Sequence, residues 1–203
     1  MRPLLAAALS LLPLGVLAQE GARIALPDDF RVTMHHYASV DRPDGITYRL
    51  YINDLAFETW RDERRLSSGT VFAIENFLAM TDGEGQQRRD AVGRLIAGNS
   101  LNDVHVAMKS AAWAEDGPQT TTGLLRGAAT EDGTWRMAGF DPRTGEPTAD
   151  LNIAECHTCH LDPRAEDFHL SRGLLDSFVR TGRPLSSRSL VPSARFALAP
   201  HPA

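Results

Sequence analysis

Cys156-His157-Thr158-Cys159-His160 sets two thiols three positions apart with an imidazole directly after the second, and this string constrains the chain more than any other feature. At that spacing two thiols can add to the two vinyl groups of one haem, and the next side chain is placed to offer its imidazole to the iron. A fold that carries the string must leave room for a flat macrocycle beside it. Three plainer readings compete: a redox-active dithiol, half of a zinc site, or a simple disulfide. A thioredoxin-type dithiol calls for a strand before it, whereas a turn containing proline and glycine precedes this one. Zinc needs four ligands, and only His157, His160 or His169 could join the two thiolates. The string favours one covalent haem c held by Cys156 and Cys159, with His160 as the proximal iron ligand.

The start of the chain sets the expected compartment. Met1-Arg2 leads into an apolar run that exits at Val16-Leu17-Ala18, as in a secretory signal peptide. The run is shorter than the roughly 20 residues a spanning helix needs, and Pro13 and Gly15 interrupt it. An exported, periplasmic protein beginning near Gln19 is expected, with no membrane anchor, since no cysteine follows the cleavage point to carry a lipid. Loss of Arg2 leaves 20 basic against 26 acidic side chains, a net charge of −6, which argues against nucleic acid as a partner. The expected division is a signal peptide over 1–18, a lead-in segment over 19–44, a haem domain over 45–180 and a flexible tail over 181–203. An apolar fraction of 42% is enough for one core without disulfides.

Alternation places Ile46, Tyr48, Leu50 and Ile52 on one face of a strand over 46–53. Asp54 can cap a helix over 55–61 that lays Leu55 and Trp60 on the sheet. Further strands are expected over 69–76, 103–109 and 134–140, the last closed by a turn over 141–145. A loop with a helical turn near 91–96 and a long connection over 111–132 join them. Helices are expected over 151–160, along one flank of the haem, and over 171–180.

An electron-transfer cytochrome c carries its motif early and a methionine ligand later. Here the last methionine, Met137, precedes the motif, and only His169 and His201 follow it. Met34, Met80, Met108, Met137, His35, His36 and His105 stand upstream. A sixth iron position that is open or weakly held is the expectation, and such a position binds small molecules.

Twenty arginines accompany a single lysine, Lys109. Arginine cannot serve where a neutral, nucleophilic amine is required. On the 103–109 strand, Lys109 shares a face with His105 and Ala107, opposite Val104, Val106 and Met108. Held against a haem it would be desolvated, which favours the neutral, reactive form. The plainer alternative is a lysine snorkelling off a strand end.

In order along the chain stand Tyr51-Ile-Asn-Asp-Leu-Ala56, Trp60, Ser68-Gly-Thr-Val71 with Glu75, Val106-Ala-Met-Lys109, Gly133-Thr-Trp135, and Cys156-His-Thr-Cys-His160 with Asp167-Phe168. Together they resemble the cytochrome P-460 family, from about Gly45 to Phe168. The resemblance implies an α+β fold: a compact antiparallel β-sheet with helices and a C-terminal haem-attachment helix. It also implies oxidation of hydroxylamine at a haem tuned by a covalently linked lysine, whose position Lys109 occupies. The related cytochromes c′-beta lack that link and bind nitric oxide, and an electron carrier with two protein ligands is a third reading. A soluble electron acceptor is the partner an oxidation would need, and a homodimer is compatible with the sequence. Two departures stand out. Ser110 occupies a position where an acidic residue often follows the lysine, and no distal acid aligns. Oxidising hydroxylamine needs a base for its N–H and O–H protons. Met137 and Phe140, with Glu115 and Glu131 before them, are the candidates for the distal side.

Overall fold

A computed structural model describes residues 24–113, 125–130, 133–148 and 171–188. Within these the strands are β1 (His35–Asp41), β2 (Ile46–Ile52), β3 (Val71–Ala79), β4 (Ala97–Ser110), β5 (Leu125–Thr130), β6 (Gly133–Phe140) and β7 (Leu185–Arg188). The helices are α1 (Phe30–Thr33), α2 (Asp54–Glu63) and α3 (Arg172–Thr181). The strands form one sheet in the order β5-β6-β4-β3-β2-β1-β7. Every neighbouring pair is antiparallel except β1 with β7, which run parallel. The architecture is α+β as expected, with a sheet that is mixed rather than purely antiparallel.

Both β1 and β7 fall where the sequence suggested no strand. A register shift between His36 and Ala38 breaks the alternation of β1, and so removes the period-two signal from what reads as a lead-in segment. Leu185-Ser-Ser-Arg188 has little strand character of its own. It reaches the sheet because Gly182, at φ 65°, ends α3 and turns the chain back toward β1. The tail expected from 181 onward therefore begins with a paired edge strand.

The segment 81–96 holds no helical turn. It reverses twice, through the bridges Thr81 to Gln87 and Arg89 to Leu95, and then enters β4 at Ala97, well before the expected start. Asp82 accepts from the amides of Glu84 and Gln86, and Asp90 from those of Val92 and Arg94. Aspartate stabilises such reversals by bonding to its own backbone two residues on. The connection over 111–132 likewise contains structure: a 3₁₀ turn at Ala111–Trp113, then β5.

Helix α2 starts one residue earlier than expected. Asn53, not Asp54, is its cap, accepting from the Ala56 amide at 3.2 Å. Ala56 and Trp60, one turn apart, face the sheet and are buried, while Leu55 points outward at 37% exposure. One sheet face carries Leu50, Ile52, Phe72, Ala107, Trp135 and Met137 beneath α2 and the Leu174, Leu175 and Phe178 side of α3. The other carries Tyr51, Val71, Ala73, Val104, Val106, Ala138 and Phe140 beneath Phe30 and Met34. Burial on both faces explains why all eight residues of β6 are buried.

Candidate functional site

Lys109 lies near the end of β4, paired with Trp135 across to β6. Alternation directs it, with Ala107 and His105, to the face beneath α2 and α3. It is 1% exposed. Its Nζ donates to the Leu66 carbonyl at 2.7 Å and stands 5.8 Å from the centroid of a Trp135 ring, within cation–π reach. Phe72, Ala107 and Met137 continue the apolar wall, with Phe72 and Trp135 rings 5.7 Å apart.

Two glycine turns fix this strand end. The Gly69 amide donates to the Lys109 carbonyl at 2.8 Å, and the Lys109 amide donates to the Thr70 carbonyl at 3.0 Å. Gly69 has φ 93°, and a Cβ on it would come 2.8 Å from the Leu55 side chain. Gly133 has φ 131°, and a Cβ there would stand 2.6 Å from the Ser110 backbone. Ser68-Gly-Thr-Val71 and Gly133-Thr-Trp135 thus meet Val106-Ala-Met-Lys109 at the end of β4, where they fix the Lys109 backbone.

Of the distal candidates, Met137 pairs with Ala107 on the Lys109 side. Phe140 packs in the opposite cluster with Val104 and Phe30, which removes it from that side. Met34 and Met108 also belong to the opposite cluster. Met80 is exposed at 38%. His35 pairs with Asp54 at 2.8 Å. His36 contacts Ser39 and the Tyr51 ring, and burial lowers its pKa. Glu115, Glu131, Cys156, His157, Cys159, His160 and His169 lie outside the described residues, as does the helix expected over 151–160. The flanks of that segment are fixed: the Thr148 amide donates to the Gly139 carbonyl at 2.9 Å, and Ser171 Oγ meets Tyr37 Oη at 2.6 Å.

One cluster on the Lys109 side escaped the sequence reading. Asp103 Oδ2 contacts His105 Nε2 at 3.0 Å, and Asn76 Nδ2 donates to Asp103 Oδ1 at 2.8 Å. Burial pushes the Asp103 carboxyl up, but hydrogen bonds from His105 and Asn76 outweigh it and hold the group below the usual carboxylate value. Asp103 and His105, two apart on one strand, were legible as face-sharing. Asn76 depends on the β3–β4 register, which no local pattern carries.

This face fits a haem. It offers an aromatic, apolar wall with one buried amine, and Thr70 Oγ1, buried beside the Lys109 backbone, has no hydrogen-bond partner among the described residues. The chain itself carries two thiols and an imidazole at attachment spacing. No curated protein matches the sequence. The family model described as Cytochrome P460, a family of haem-binding cytochromes, matches residues 27–170, most of the 203-residue chain. The match begins before β1, in keeping with a domain that includes the lead-in strand, and with this extent of agreement the chain belongs to the cytochrome P460 family.

Proposed function

We propose that the chain is an exported, periplasmic cytochrome with one haem c, bonded to Cys156 and Cys159 and ligated by His160, that oxidises hydroxylamine or a similarly small nitrogen compound. Lys109 carries the reading. The chain's single lysine is buried on an apolar face, at the position where the motif match puts the family's cross-linking lysine. When bound, the haem supplies an iron that holds a small ligand and passes electrons to a soluble acceptor. Phe72, Trp135 and Met137 keep water from the Lys109 side, and low-polarity surroundings strengthen the electrostatic interactions made there. The two glycine turns and the Leu66 carbonyl fix where the amine can reach.

One observation favours a second reading, nitric oxide binding without turnover. Lys109 Nζ already donates to Leu66, so its position is satisfied without a bond to porphyrin. A proteolytic digest of the mature protein decides between them. A cross-link yields one haem-bearing species that joins the Cys156–His160 peptide to the Val104–Lys109 segment, and Lys109→Arg abolishes it while leaving both thioethers. Haem on the Cys156–His160 peptide alone in the wild type would defeat hydroxylamine oxidation in favour of nitric oxide binding.

A further inference from the structure

The distal base that hydroxylamine chemistry requires was the part of the sequence that would not align. The sheet supplies a group suited to it. His105 stands four residues before Lys109 on β4 and on the same face, about 13 Å along the strand at the usual rise per residue. Its partner across β6 is Gly139, which has no side chain to cover it. The imidazole is 21% exposed and Asp103 31% exposed, so the pair is open to a small molecule while most of its surface is packed.

We propose that His105, oriented by Asp103, is the proton acceptor for reactions on the Lys109 face of the sheet. The chemistry follows from the contacts. Asp103 Oδ2 at 3.0 Å accepts from His105 Nε2, which fixes the proton there and leaves Nδ1 with its lone pair. When Nδ1 takes a proton from a substrate N–H or O–H, the imidazolium is stabilised by the carboxylate already bonded to it. Asn76 holds the second carboxylate oxygen at 2.8 Å, so Asp103 cannot swing away. The low proton affinity of Asp103, noted above, keeps the carboxylate ionised while His105 cycles.

Within the sheet, the charged groups on the His105 face of its own strand are Asp103 and Lys109. On this face β3 presents Ile74 and Asn76 and β6 presents Met137 and Gly139, none of which titrates. Glu75 and Arg136 alternate to the opposite face.

The inference rests on the haem reading, and two ligands separate the two. Hydrogen cyanide binds ferric iron as the anion and must give up its proton; nitric oxide binds ferrous iron with no proton to lose. Both association rates are measured across pH 5–9 on full-length, haem-loaded wild type, His105→Gln and Asp103→Asn. The inference predicts a wild-type cyanide rate that depends on pH beyond what the ionisation of hydrogen cyanide itself explains. His105→Gln loses that dependence and is slowed about a hundredfold, the usual size of a lost general base, while its nitric oxide rate is unchanged. Nitrogen-15 NMR of the ring, a readout that does not depend on iron chemistry, places the wild-type His105 proton on Nε2, and Asp103→Asn loses that preference. Cyanide binding in His105→Gln with the wild-type rate and pH profile would overturn the inference, as would a wild-type His105 ring that carries its proton on Nδ1. Wild type that binds neither ligand would overturn the haem reading, and the inference with it.

Discussion

Asp41→Ala tests how the β1–β2 hairpin is fastened to the segment that leads into the long strand carrying Lys109. Asp41 is 4% exposed and accepts four hydrogen bonds: Arg94 Nε at 2.7 Å, Arg94 Nη2 at 2.9 Å, the Leu95 amide at 2.9 Å and Thr47 Oγ1 at 3.0 Å. Alanine leaves the Leu95 amide and the Thr47 hydroxyl, both in buried residues, without this acceptor. Arg94 retains one contact, Nη2 to the Ser39 carbonyl at 3.2 Å, and its Nη1 is already buried without a partner. Removing one member of a buried pair costs about 3–5 kcal/mol. The lower end applies, at about 3 kcal/mol, because Arg94 keeps 14% exposure and its Ser39 bond. For a chain of this length that lowers Tm by about 6–12 °C in a thermal melt followed by circular dichroism. Asp41→Ala with Arg94→Ala should cost less than the sum of the single changes by about 1–2 kcal/mol, since the second change removes the stranded cation. A loss below about 1 kcal/mol for Asp41→Ala, or strict additivity in the double variant, would refute the assignment.

Acid should destabilise the fold through the same kind of group. Asp41 and Asp103 are held below the usual carboxylate value, burial being outweighed by Arg94, Leu95 and Thr47 in one case and by His105 and Asn76 in the other. A lowered folded-state pKa means their stabilisation is complete above about pH 4, the unfolded value, and is lost as pH falls through the folded one. Tm should therefore fall from pH 5 to 3, and Asp41→Asn with Asp103→Asn should flatten that slope. Gly133→Ala should cost about 2 kcal/mol or more, since it forces a side chain into φ 131° against the Ser110 backbone. The same change should reduce the yield of the Lys109-linked haem peptide, and an unchanged melt and digest would count against the clamp.

The β2 strand was legible from its alternating apolar residues and β3, β4 and β6 from their strand-forming composition, and the β4 face shared by His105, Ala107 and Lys109 appears as its period of two requires. What escaped was set by tertiary contact. The bulge at His36 hides β1, and β7 has no strand signal apart from its parallel partner. The double Asp-x-x-Gly reversal, Asp82 to Gly85 and Asp90 to Gly93, was legible as turn chemistry but was read as loop and helix. In the site, Lys109 was found by its isolation among arginines, and Cys156, Cys159 and His160 by spacing. The Leu66 carbonyl that receives the Lys109 amine could not be found, since any residue can present a backbone oxygen.

Everything proposed for the Lys109 face depends on a haem c covalently attached through Cys156 and Cys159. Its most direct test is the intact mass of full-length protein matured with a c-type haem system and denatured in acid-acetone. A polypeptide heavier by one haem that the solvent does not extract is expected, and the double change Cys156→Ala with Cys159→Ala, which leaves no thioether, should release all of the haem. A wild-type polypeptide at its bare mass, with no haem or with all of it in the solvent, would rule out covalent attachment.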